Sequence, residues 1–348
     1  MNTQRLFRSI SFQIVGLSLL LTVLIVASCG MGYMHIRFFD VVRIVLAKLT
    51  NISSLTDGVN RLFPVVVTGV RLPRILTSAA VGAGLALSGV VFQGILLNPL
   101  ADPYTLGVSA GAALGASFAL WLNVSAIGMW SVPLLAFAGA AMTLLAVIYL
   151  ASPGDGLSSG NLILSGIIVS AILSAGVSFI KYMADEQVGV IIFWLMGSFA
   201  SQTWADVWLT TGTLILGTGV SMYFSRELNV MALGARTATS LGVDIQRVRL
   251  ILLITASLVA AVCVSVSGII GFVGLLTPHI MRTLCGPDNQ RLIPVSVLAG
   301  ACLLLAADTL TRAVLPHEVP IGVLTALIGG PFFCYIYRRR QTSGLHDD

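Results

Sequence analysis

The sequence predicts an all-α polytopic membrane protein of about ten transmembrane helices with an inverted internal repeat. Three observations predict it. Of 348 residues, 57 % are hydrophobic and only 9 % charged, where soluble domains carry about a quarter charged residues. Uncharged apolar runs of about 20 residues recur, each long enough at 1.5 Å per residue to cross roughly 30 Å of hydrocarbon as a helix. The short alternating segments of outer-membrane barrels do not occur, and the runs are rich in Gly, Ala, Leu and Val.

The first span, 12–33, follows Arg5 and Arg8. Val26-Ala27-Ser28-Cys29 has the form of a lipoprotein cleavage site. The uncharged run from Ile10 to Gly32 nevertheless exceeds the roughly 7–15 residues of a signal-peptide core, so a retained span is expected. Hydropathy and helix breakers place further spans at 74–96, 105–122, 129–150, 159–181, 205–224, 247–268, 271–284, 292–313 and 319–337. The segment 271–284 is short and broken by Gly and Pro, and the apolar piece 189–200 is too short to cross. The whole chain, 1–348, reads as one transmembrane domain. The five cysteines lie in or beside apolar runs without ligand spacing, so they are expected to pack rather than to bind metal or form disulfides.

Ten crossings put both termini on one side, and the basic residues say which. That side collects Arg5, Arg8, Arg226, Arg236, Arg247, Arg249, Arg282, Arg291 and Arg338 to Arg340, eleven of the nineteen lysines and arginines. Both termini are therefore expected in the cytoplasm. The exception is a cluster before the second span that ends in Arg71-Leu72-Pro73-Arg74, at a membrane entry on the outer face. Two readings fit it: arginines snorkelling to headgroups from a translocated loop, or a docking surface for an acidic extracytoplasmic partner, since guanidinium forks pair carboxylates bidentately.

Asn98-Pro99 and Asp102-Pro103 stop the second span, because proline lacks an amide donor and disfavours helix in the preceding residue. Asp102 or Thr105 can cap the next helix. Gly107, Ser109, Gly111 and Gly115 then allow close helix approach, which gives a tight cytoplasmic turn. Sliding the halves by 179 positions overlays Ser88-Gly89-Val90-Val91 on Ser267-Gly268-Ile269-Ile270 and Leu96-Leu97-Asn98-Pro99 on Leu275-Leu276-Thr277-Pro278. The copies, over about 70–190 and 247–337, begin on spans of opposite direction, as in inverted-repeat transport proteins.

The run "RLPRILTSAAVGAGLALSGVVFQGILLNPLADPYTLGVSAGAALGA" resembles the signature of FecCD-type permeases, the membrane subunits of ABC importers for iron-siderophores, haem and cobalamin. "SGIIGFVGLLTPHIMR" and "LIPVSVLAGACLLLAADTLTRAVLPHEVPIGVLTALIGGPFF" resemble that family's second and third signatures, and the likeness extends over about 60–345. It implies the FecCD and cobalamin-importer permease fold. It also implies a second permease copy, two cytoplasmic ATPases that carry ATP and Mg, a periplasmic binding protein, and a place in a bacterial inner membrane. By the same resemblance the binding protein docks on Arg71, Arg74 and Arg312. The cytoplasmic loop 228–249, with Leu228, Asn229, Leu233, Gly234, Ala235, Arg236, Leu241 and Gly242, seats in the ATPase. The family's "LGEE" acids are here Leu233-Gly234-Ala235-Arg236. Asn98, Pro99, Asp102, Pro103, Gly107, Ser109, Gly111, Pro278 and His279 are expected to form structural turns and the pathway, and spans five, eight and ten with 189–200 are expected to line the route.

Asp308 and Arg312 share a helix face, and charges at the bilayer centre cost about 2.5–3.5 kcal/mol, so an ion pair near the outer end is expected. His279 has two readings, a group that senses protons or touches substrate, and the commoner one for a lone histidine, a hydrogen-bonded packing residue. His317-Glu318 offers a further contact for the binding protein. No G-x-x-x-x-G-K-[ST] loop occurs and the only lysines are Lys48 and Lys181, so energy must come from another subunit or an ion gradient. No catalytic, metal or nucleic-acid site is expected, and no cofactor is expected on this chain. The alternative to an ABC permease is a secondary transporter that works through Asp308, Arg312 and His279.

Overall fold

The computed structural model describes residues 10–32, 34, 36–50, 52, 57–124, 128–152, 157–313 and 318–344. Arg5, Arg8 and His317 lie outside them. We number fourteen helices among these residues. They are α1 (Ile10–Gly30), α2 (Phe38–Thr50), α3 (Leu62–Leu96), α4 (Val108–Trp121), α5 (Ser131–Ala151), α6 (Ser159–Met183) and α7 (Val188–Leu195). There follow α8 (Trp204–Tyr223), α9 (Ser225–Met231), α10 (Ala235–Ser240), α11 (Ile245–Ser267), α12 (Val273–Cys285), α13 (Asn289–Ala313) and α14 (Ile321–Gly344). Each of the ten predicted segments is a helix. Six of them, α1, α3, α5, α6, α11 and α13, are long and apolar enough to cross a membrane unaided, and α8 joins α9 at a 53° bend as a seventh.

Helix α3 is the hub, its most apolar stretch 94 % buried within the chain, and α8, α11, α12 and α13 all pack on it. Composition makes this possible. Its run Thr77-Ser78-Ala79-Ala80-Val81-Gly82-Ala83-Gly84 gives up side-chain bulk for backbone proximity, the means of association open to helices when lipid is as apolar as leucine. A Cβ on Gly82 would lie 2.3 Å from the Gly300 carbonyl oxygen of α13, and one on Gly300 would lie 2.4 Å from that of Gly82. The α4–α5 crossing repeats the device with Gly111 and Gly139. The outer helices instead turn Leu19 of α1, Leu145 of α5, Ile172 and Phe179 of α6, and Leu216 of α8 outward, where a bilayer would meet them.

Helices α4 and α12 are only 14 and 13 residues long, about 20 Å, too short to cross alone. Each follows a full-length helix and an irregular stretch, so the order long helix, break, short helix occurs twice: α3 to α4 and α11 to α12. The letters overlaid by the 179-position slide are out of phase with that order. Ser88–Val91 lies inside continuous α3, whereas Ser267 ends α11 and Gly268–Ile270 belong to the break.

Two local differences from the sequence reading have physical causes. The second span starts at Leu62, not 74, because the helix continues through Pro73. A wide π turn at Val67–Arg71 precedes Pro73, with the Leu72 amide donating to the Val67 carbonyl, and absorbs the donor and space that the ring removes. The basic segment before it is not all loop either. It contains α2, whose Val41 and Ile44 are buried while Phe38 and Phe39 are exposed.

Candidate functional site

The interruption at 97–107 begins as an exposed turn, with Leu97 and Leu100 at the surface, and then goes further than a turn. Leu97 ends α3 in left-handed geometry, Asn98 Oδ1 accepts the Leu100 amide at 2.9 Å, and the chain then climbs back among the helices. Gly107 (φ +78°) sits where a Cβ would come within 2.7 Å of Ser170 Oγ and 3.2 Å of Thr143 Cγ2, both mid-helix. Pro103 packs against the Gly274 position. Irregular backbone at such depth survives only when protein satisfies its polar groups. Buried Asp102 does so, accepting the amides of Tyr104 at 3.1 Å and Thr105 at 3.0 Å. Asp102 therefore caps this turn rather than α4, which starts at Val108 after Gly107 without a side-chain cap. Ser109 is half-buried in the first turn of α4.

The second break meets the first. The Tyr104 hydroxyl accepts the Ile270 amide at 3.2 Å and donates to the Ile270 carbonyl. Ser198 N–H donates to Ser267 O at 2.8 Å, Ile321 N–H to Gly197 O at 3.2 Å and Gly322 N–H to Met196 O at 3.0 Å. These bonds tie the end of α7, the α11–α12 break and the first turn of α14 into one unit. Glycine is required where they cross, since a Cβ on Gly322 would lie 2.4 Å from Met196 O and 2.6 Å from Ile269 O. Beside the knot opens an apolar groove of about 600 Å³ lined by Leu195, Met196, Ile269, Gly271, Gly322, Val323, Ala326, Leu327 and Pro331.

Of the lining expected from sequence, the 189–200 piece, the entry to the eighth span and the tenth span share this groove. The fifth span does not; Val169 and Leu173 of α6 line a separate apolar cavity of about 490 Å³ between α4, α5 and α6. Pro278 and His279 are buried inside α12. Pro278 has no amide to give the Gly274 carbonyl, and that oxygen faces Gly89 of α3, where a Cβ would come within 1.7 Å.

The three arginines converge, and each has partners within the chain. Arg71 Nη1 donates to Cys29 O at 2.5 Å and Nη2 to Met34 O, while Arg312 donates to Met31 O at 2.6 Å and Ser28 O at 2.9 Å. Ser28, Cys29 and Met31 are the last carbonyls of α1 or follow it, groups a helix leaves unbonded and negatively polarised. Arg74 is different. Its Nε and Nη2 grip Asp308, with Nη2–Oδ1 at 3.0 Å, and its Nη1 meets Glu318 at 3.1 Å. The expected Asp308–Arg312 pair is present but long, at 3.9 Å. Sequence spacing showed only the neighbour four residues away; the stronger partner is 234 positions distant.

The loop 228–249 divides into two groups. Leu228 is fully buried and faces Gly94 of α3, and Asn229 bonds Asp288 and Asn289, which anchors α9 to the start of α13. Leu233, Ala235, Arg236, Leu241 and Gly242 are exposed, with Gly234 (φ +101°) setting α10 off from α9. Leu233 and Leu241 are 66 % and 62 % exposed, an apolar pair at the two ends of α10.

Known proteins share this architecture. A profile of the FecCD transport family matches residues 20–339. The chain is 43 % identical over 294 residues to the cobalamin import system permease protein BtuC of Halobacterium salinarum, covering 84 % of this chain and 79 % of that one. It is 38 % identical over 335 residues to the molybdate import system permease protein MolB of Haemophilus influenzae, covering 95 % and 97 %. Among solved structures, a metal-chelate type ABC transporter in an inward-facing conformation superposes with a TM-score of 0.82 at 34 % identity, covering 94 % of this chain and 98 % of that one.

Proposed function

The chain belongs to the FecCD transport family, and from that premise we propose that it is the bacterial inner-membrane gate of an ABC importer for a metal chelate such as a ferric siderophore, haem or cobalamin. It pairs with a second copy or a close homologue, with both termini cytoplasmic. The groove beside the α7–α12–α14 knot supports this reading most directly. It is apolar, borders the α11–α12 break, and takes its wall from the end of α7, that break and the first half of α14. A broad apolar wall suits a large chelate, with specificity held mainly by the binding protein. The binding protein docks at the outer rim where Arg71, Arg74 and Arg312 converge. Two ATPases, which hold ATP and Mg, seat against the exposed part of 228–249, and their closure rocks the paired subunits between outward-open and inward-open states.

The exposed loop residues supply the test. Leu233→Asp with Arg236→Glu alters groups that no packed neighbour needs, so the protein remains folded. Burying a charge where an apolar anchor belongs is expected to cut ATP-driven uptake by the assembled importer about tenfold or more. Gly234→Ala, which forces a side chain into glycine backbone geometry, shifts α10 and does the same. Uptake at the parent rate in both variants would remove this loop from the coupling role.

A further inference from the structure

We propose that Glu318 is an internal stand-in for the binding protein's carboxylate, and that docking displaces it from Arg74 and thereby loosens the entry to α14. This rests on the reading that the binding protein docks at the outer arginines.

The guanidinium of Arg74 has two edges with different occupants. Nε and Nη2 face Asp308, whose side chain is 1 % exposed. Nη1 holds Glu318, with Oε1 at 3.1 Å and Oε2 at 3.3 Å, and the Glu318 side chain is 53 % exposed. One edge is thus fixed inside the protein, while the other is filled by a carboxylate that water and an incoming group can reach. A second carboxylate can take that edge without disturbing Asp308, and the exchange conserves charge and hydrogen bonds.

Glu318 is joined to the groove by a short, stiff piece of chain. Only Val319 and Pro320 separate it from Ile321 and Gly322, whose amides bond Gly197 and Met196 at the groove wall. Proline fixes one of the few torsions between them. Release of the carboxylate therefore frees the segment that positions the first turn of α14. A signal at the outer rim reaches the groove through four residues, with no rearrangement of the α3 hub.

The experiment places the paired permease in phosphatidylethanolamine–phosphatidylglycerol nanodiscs and measures the affinity of the soluble binding protein that assembles with it. Amide exchange at Ile321 and Gly322 is followed in parallel. Glu318→Gln keeps the shape of the side chain but removes the competing charge. It is expected to tighten docking roughly two- to fivefold, the range for a partly exposed ion pair, and to speed exchange at both amides before any binding protein is added. Arg74→Lys retains a cation beside Asp308 but loses the fork, and should weaken docking. If Arg74→Lys weakens docking while Glu318→Gln leaves affinity and exchange unchanged, the stand-in role is overturned and docking at Arg74 survives. If neither substitution alters docking, the docking reading falls and the stand-in role falls with it.

Discussion

Arg74→Ala is expected to destabilise the protein by about 3–5 kcal/mol, the cost of leaving one partner of a buried ion pair uncompensated. Asp308, whose side chain is 1 % exposed, would be left with Arg312 as its remaining ion-pair partner at 3.9 Å. Arg312 cannot close in freely, because its Nη1 and Nη2 already hold Met31 O and Ser28 O at the end of α1. The loss should appear in chemical unfolding of the detergent-solubilised protein. The double variant Arg74→Ala, Asp308→Ala removes both charges and should recover a large part of it, a coupling that a double-mutant cycle reads directly. A single-variant loss below about 1 kcal/mol, the range of exposed pairs, would mean that water reaches this site and that the α3–α13 pair is not the buried tie described above.

Gly89→Ala is the second large effect. The added Cβ would sit 1.7 Å from the Gly274 oxygen, 2.6 Å from its carbonyl carbon and 2.9 Å from its Cα. All three are backbone atoms at the start of α12, so no side-chain rotamer relieves the clash. Small-to-large changes in packed interiors typically cost about 1–3 kcal/mol, and more when the backbone must move. Here α12 would have to retreat from α3 while the preceding Ile270 is tied to Tyr104, so the expected cost is at or above the top of that range, with little protein accumulating in the membrane. Gly212→Ala is the matched control. It lies in α8 with nothing within 4 Å of the new Cβ, and alanine is the better helix former by roughly 1 kcal/mol. Equal accumulation of the two variants, measured in isolated membranes, would contradict the close α3–α12 contact.

Hydropathy made the ten helical segments legible because a membrane span has a fixed length and an apolar composition. Gly107 and Gly111 were legible as sites of close approach for a similar reason, since small size has the same consequence wherever two helices cross. Depth was not legible. Asn98-Pro99 and Asp102-Pro103 carry the same turn chemistry although the first lies at the surface and the second among helices, and the Tyr104–Ile270 bond that marks the second as interior joins residues 166 positions apart. The Arg74–Asp308 pair escaped for the same reason, since spacing along one helix showed only Arg312. A second span placed from 74 leaves out the turns from Leu62 because a wide π turn upstream of a proline leaves no plain mark in composition. In the loop 228–249, position alone placed Leu228 and Leu233 together, and only packing separates the anchor from the exposed residue.

The central claim is that this polypeptide is a gate worked by other subunits and drives nothing itself. The most direct measurement is chelate accumulation in sealed vesicles containing the purified chain, with and without the ATPase, the binding protein, ATP and imposed ion gradients. Accumulation is expected only when the ATPase, its nucleotide and the loaded binding protein are all present, and no proton or sodium gradient should replace them. Accumulation by the purified chain under an ion gradient, with neither companion in the vesicle, would contradict the account and return Asp308, Arg312 and His279 to the role of coupling groups.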